Sequence, residues 1–178
     1  MKGLKSVLLT SLYFLVVLAV VFLTVNYVGQ RIAVVGKSMY PTLDDRDGVI
    51  VDKISYKFND PQRFDIIVFP YKYEENTFYI KRIIGLPGER VFIDDNGTIY
   101  INGVALEEGY GREVIEDPGR AYETITLADD EYFVMGDNRN NSMDSRDPNV
   151  GNIKREELLG RAFMRVFPIK DMGMIKHQ

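Results

Sequence analysis

The sequence predicts a mainly β protein: an N-terminal transmembrane helix, then an antiparallel β core that carries a smaller inserted β lobe. Three observations predict this. An uncharged, largely apolar run fills residues 6–30. Beyond it, short runs rich in Val, Ile, Phe and Tyr recur between corners of Gly, Pro, Asn and Asp, the pattern of strands and turns. Only one soluble segment reads as a helix.

Within the apolar run, residues 7–28 exceed the roughly 20 residues that a helix needs to cross a bilayer. Lys2 and Lys5 precede it, as expected for a cytoplasmic N-terminus, so residues 1–6 read as a short cytoplasmic tail and 7–28 as the anchor. Tyr27 is placed to anchor the outer interface. A cleavable leader would have a shorter apolar region, followed by small residues at the cut. The exit here is Val25, Asn26, Tyr27, Val28, Gly29, Gln30, without that pattern. A retained single anchor puts residues 31–178 on one side of the membrane, outside.

The strands follow in order. Residues 31–36 are apolar and β-branched, 48–54 alternate, and 64–69 form a buried-strand run bracketed by Pro61 and Pro70. Residues 78–85 form the next strand. Residues 91–103 read as a hairpin with Asn96–Gly97 at its turn and Asn102–Gly103 at the following corner. Residues 131–136 and 161–167 close the series, with a short helix expected at 154–160. Residues 86–130 are richer in turns and acids, so they read as an inserted second lobe between the core segments 29–85 and 131–178.

Composition removes several classes of chemistry. With 46% hydrophobic and 27% charged residues, the 178-residue chain has enough apolar material for a core. It has no cysteine, which excludes thiol catalysis, disulfides and cysteine metal sites. The single histidine, His177, is second to last, where chains fray. Neither a Ser-His-Asp site nor a histidine-rich zinc site is expected, and no metal or cofactor is predicted. Residues 31–178 carry 20 basic and 26 acidic residues, a balance that argues against a nucleic-acid partner.

Three segments carry chemistry. In residues 34–43 a strand ends at Gly36, Ser38 lies on the following turn, and Pro41 stiffens the exit, so the hydroxyl can be presented to a cleft. Gly-x-Ser-x-Gly fails at Tyr40, and no serine has a lysine three residues on. In residues 78–89, Tyr79, Lys81 and Ile83 share one strand face, while Phe78, Ile80, Arg82 and Ile84 share the other. Both faces are largely apolar, so a cation must enter apolar surroundings. Arginine stays charged there and needs a carboxylate, whereas lysine can give up its proton and become a base. In residues 133–151 a strand enters a loop dense in Asp, Asn, Ser and Arg. A calcium loop is disfavoured, because Arg139 and Ser142 stand where that pattern wants Asp or Asn and Gly. Asp137, Asp144, Arg139 and Arg146 are expected to form charge pairs that fix the loop.

Residues 36–43 (GKSMYPTL), 63–69 (RFDIIVF), 79–89 (YIKRIIGLPGE) and 136–146 (GDNRNNSMDSR), in that order after a single anchor, resemble the boxes of bacterial type I signal peptidases. The resemblance spans most of residues 32–146. It implies a signal-peptidase-like fold and a membrane-bound serine endopeptidase that removes signal peptides from exported preproteins. Ser38 would be the nucleophile, forming an acyl-enzyme, and Lys81 its general base. Ser142 would hydrogen-bond and orient Lys81, and Met39 and Tyr40 would belong to the substrate pocket. Arg82 would pair with Asp137, and Asp144 with Arg146, as structural pairs beside the site. The Ser38 N–H would bind the oxyanion. Some family members have a serine at the position of Gly36 whose hydroxyl helps, so the second donor is open here. The implied partners are signal peptides, the lipid bilayer and, transiently, the export machinery. Small substrate residues would be wanted one and three positions before the cut. Alternatives are another Ser/Lys membrane peptidase, of pilus or conjugation processing, and a non-catalytic membrane-tethered peptide-binding module.

Overall fold

The computed structural model describes residues 2–23, 29–75, 77–111 and 113–176. Tyr27, the end of the apolar run and His177 lie outside these residues. Helix α1 (Lys2–Leu23) has 22 residues and therefore spans about 33 Å. Its segment Lys5–Phe22 is long and apolar enough to cross a membrane, and none of it is buried against the rest of the protein.

The strands are β1 (Gly29–Ala33), β2 (Gly48–Asp52), β3 (Ile66–Pro70), β4 (Phe78–Gly85), β5 (Arg90–Ile93), β6 (Ile99–Ile101), β7 (Val104–Ala105), β8 (Ile125–Thr126), β9 (Glu131–Met135), β10 (Ile153–Lys154), β11 (Gly160–Phe167) and β12 (Gly173–Met174). Among the described residues these form two antiparallel sheets. The larger runs β1-β2-β11-β3-β4-β9-β10, with β12 added to β11, and the smaller runs β7-β6-β5-β8. A one-turn helix, α2 (Ser55–Phe58), follows β2, where Asp52 Oδ1 accepts the N–H groups of Ile54 and Ser55.

Strand β3 explains its own unbroken apolar run. Ile66 and Val68 enter a core cluster with Val49, Val51 and Ala162, while Ile67 and Phe69 enter another with Ile83 and Val134. A strand covered on both faces has no polar alternation to show. A third cluster lies between the sheets. There Phe64, Ile84, Phe133 and Met135 meet Val91, Ile93, Ile99, Ile101 and Leu127 of the smaller sheet and its flanks. Each such side chain, fully buried, contributes about 1.5–3 kcal/mol.

The helix expected at 154–160 is not formed. A single 3₁₀ turn covers Arg155–Glu157, between β10 and β11. The backbone donors are used elsewhere: Arg155 N–H bonds to the Asp130 carbonyl and Leu159 N–H to the Val68 carbonyl, both 2.8 Å. Leu158 and Leu159 pack against different core clusters. A helix this short has a costly nucleus and too few bonds to compete with sheet pairing. The first strand also shifts, ending at Ala33 instead of Gly36, because the Val34 N–H turns to the Asp47 carbonyl.

One pairing detail positions the site. Strand β9 joins β4 only from Arg82 to Gly85. On that side the Phe78–Lys81 half of β4 has no strand neighbour among the described residues, and it borders a cleft of about 550 Å³.

Candidate active site

The turn after β1 is held from three directions. Gly36 takes φ 87°, a conformation open to glycine, and its N–H donates to Asp45 Oδ1 at 2.9 Å. Asn138 grips the other flank: its Nδ2 donates to the Lys37 carbonyl and its N–H to the Ser38 carbonyl, both at 3.0 Å. Met39 and Leu43 plug into the core beneath. Ser38 is thereby held on a rigid turn at the cleft, half-buried.

Lys81 comes from β4, facing Ile67 across the β3 pairing. It is 4% exposed, and its Nζ lies 2.8 Å from Ser38 Oγ and 3.2 Å from the Ile80 carbonyl. The amine stands 4.9 Å above the Tyr79 ring. Among the described residues no carboxylate forms an ion pair with it. Burial pushes its pKa down to about 8, while the more distant charges of Asp144 and Asp137 partly oppose that shift. A buried amine with a depressed pKa against a serine hydroxyl is a base–nucleophile contact.

Arg82, the next residue, points the other way. Its Nε and Nη2 donate to the two oxygens of Asp137 at 2.8 and 2.7 Å, and its Nη1 to the Phe64 carbonyl at 2.8 Å. Its guanidinium lies 3.6 Å from the Tyr110 ring centroid. Arg146 pairs in the same bidentate way with Asp144, at 2.9 Å for each bond, and Asp144 also accepts the Gly136 N–H. These two pairs carry the loop past Ser38. Gly136 allows the closest approach: a Cβ there would collide with Ser142 Oγ and the Ser38 carbonyl.

The model for signal peptidase, peptidase S26, matches residues 7–167. The chain belongs to this family. It is similar to a probable signal peptidase I-2 of Synechocystis, with 41% identity over 155 residues, covering 84% of this chain and 68% of the relative. It is also similar to a signal peptidase I of Leptolyngbya laminosa, 39% identical over 180 residues, covering 97% and 82%. A crystal structure of a signal peptidase I from Enterococcus faecalis is 38% identical, covers 58% of this chain and 97% of its own, and has a TM-score of 0.47. As a signal peptidase the chain is a hydrolase, a serine peptidase that removes signal peptides.

Within this signal peptidase the structure brings Ser38, Lys81 and Met39 to one cleft. Tyr40 is not part of that lining: the turn directs it outward, 37% exposed, while Met39 takes the inward position. Ser142 stands beside the Ser38 backbone but does not bond Lys81. Its Oγ is buried without a hydrogen-bond partner among the described residues, and the Lys81 amine is directed at Ser38 Oγ and the Ile80 carbonyl. Arg139 pairs outside its own loop, with Glu108 at 2.7 Å.

Three supporting residues escape sequence reasoning. Asp45 and Asn138 act by gripping backbone of the Ser38 turn, and Thr42 donates to Asp137 Oδ2 at 2.5 Å. Asn138 lies in the polar loop and Thr42 in the 36–43 segment, both already marked, while Asp45 leaves no signal in the chain.

Proposed function

We propose that Ser38 is the nucleophile of this signal peptidase and Lys81 its general base. The observation that carries the proposal is the 2.8 Å contact between a buried amine and the only serine hydroxyl that lines the cleft among the described residues. Neutral Lys81 accepts the Ser38 proton as Oγ attacks the scissile carbonyl. The protonated amine then donates to the leaving nitrogen, and the signal peptide is left as an ester on Ser38. Lys81 next takes a proton from water, the hydroxide adds to the ester carbon, and Ser38 leaves with the proton returned. Ser142 Oγ, buried without a hydrogen-bond partner among the described residues, orients the amine once substrate fills the cleft.

The substrate lies extended along the unpaired half of β4, adding a strand there. Met39 closes the pocket for a small residue at the cut. Helix α1 anchors the chain by a single crossing, with residues 31–178 outside the cell membrane. The bilayer is thus a standing partner, and contact with export machinery is transient. Residues 86–130 form an insertion between the two halves of the catalytic core.

Cleavage of a labelled preprotein in detergent by wild type, Ser38→Ala and Lys81→Ala tests the dyad. Cleavage by wild type alone is expected, with a rate that rises with pH through about 8 as the Lys81 amine loses its proton. Cleavage that survives either substitution would remove these residues from the chemistry.

A further inference from the structure

Attack by Ser38 places negative charge on the scissile oxygen, and a donor fixed at that oxygen contributes about 10²–10³ in kcat. The Ser38 N–H is bound to no acceptor among the described residues and supplies one donor. The turn does not supply a second. The Gly36 N–H is engaged by Asp45, and Gly36 has no hydroxyl.

Among the described residues, five other polar side chains line the same cleft: Lys37, Glu74, Thr77, Tyr79 and Asn141. Glu74 is an acidic side chain, a hydrogen-bond acceptor by type. The Tyr79 hydroxyl is turned to Met143 Sδ, at 3.4 Å. Thr77 is four residues from Lys81 along an extended chain, about 13 Å away. Lys37 is exposed, as Asn141 is, but its longer side chain would lose more rotatable bonds of freedom to serve.

Asn141 differs from all of these. Its carboxamide makes no hydrogen bond among the described residues. Its backbone, however, is tied to the nucleophile through a single residue. The Asn141 N–H donates to the Asn138 carbonyl at 2.9 Å, and Asn138 holds the Ser38 and Lys37 carbonyls at 3.0 Å each. The Asn141 side chain is exposed, but it starts from a 3₁₀ turn whose backbone is tied to the Ser38 turn, which favours the fixed placement an oxyanion site requires. We infer that the Asn141 side-chain amide is the second oxyanion donor, taking the place of a hydroxyl that Gly36 lacks. This inference rests on Ser38 being the nucleophile.

The test uses the full chain in detergent, with a labelled preprotein as substrate and the variants Asn141→Ala and Asn141→Asp. The expected result is a fall in kcat of about 100-fold, with KM within about twofold. The apparent pKa of the rate should stay where Lys81 sets it, and thermal unfolding should not move. A kcat near wild type in Asn141→Ala would overturn the inference. So would a rise in KM with kcat retained, or the same kcat loss in Lys37→Gln instead. Failure of the underlying reading looks different: Ser38→Ala would then still cleave.

Discussion

Lys81 and Arg82 are neighbours on one strand, both cations and both buried, yet they sit in opposite worlds. Arg82 has a bidentate carboxylate, a carbonyl and an aromatic face around it. Lys81 has a serine hydroxyl, one carbonyl and the face of Tyr79. Strand alternation makes the split, sending one residue to the cleft and the next into the core. The lesson is that burial alone does not decide what a cation does. Supplied with a carboxylate it becomes a structural tie; denied one, a lysine becomes a base, because it can shed the charge that burial penalises.

The sharpest way to break this contrast is Lys81→Arg, which keeps a cation but removes the ability to deprotonate. Preprotein cleavage should fall by about 100- to 10,000-fold, the range for general-base catalysis. Measurable turnover close to wild type would mean that charge, not basicity, is what the position supplies.

Next in size is Arg82→Met. It leaves Asp137 buried, with only Thr42 still donating to it, and removal of one partner of such a pair costs about 3–5 kcal/mol. Denaturant unfolding of the full chain in detergent measures this. The double variant Arg82→Met/Asp137→Leu should recover much of the loss, since no unpaired charge remains. A double variant as unstable as the single one would assign the cost to packing instead.

The smallest effect has the opposite sign. Lys81→Met should end cleavage yet raise stability by about 1–3 kcal/mol at pH 7, because the buried amine no longer has to be charged there. The sign follows from the depressed pKa: wild type is penalised fully below pH 8. It recovers as pH rises from about 8 toward the ordinary lysine value of 10.5, because the unfolded chain then holds the proton and the folded one does not. The gap between the two proteins should therefore narrow across that window. A gap that does not change with pH would show that Lys81 is not what the stability responds to.

Much of the fold was legible because its signals are local. Strand β4 coincides with the run read at 78–85, and the turn at Asn96–Gly97 joins β5 to β6 as their spacing predicts. The segment 154–160 misled for a physical reason: its helical composition is outweighed by hydrogen bonds to Asp130 and Val68, residues that no local window contains. Within the site, the residue types of Ser38, Lys81, Arg82, Asp137, Asp144 and Arg146 stand out as motifs. Tyr40 and Ser142 show the limit of that reading. A motif gives neighbours in the chain but not which of two adjacent side chains faces a cleft, nor which rotamer a hydroxyl takes.

By itself, then, the sequence determined the apolar N-terminal helix, the order of the longer strands, the lack of any cysteine, and the two adjacent cations on β4. Alternation, propensity and composition act within a few residues, so they can be read without a structure. Only the tertiary structure decided that β9 stops short and leaves half of β4 open, and that Ser38 meets Lys81 at 2.8 Å. The same holds for the grip of Asp45 and Asn138 on the nucleophile turn. Those contacts join residues 9 to 101 positions apart, and such distances are settled by the packing of whole sheets and not by any stretch of chain.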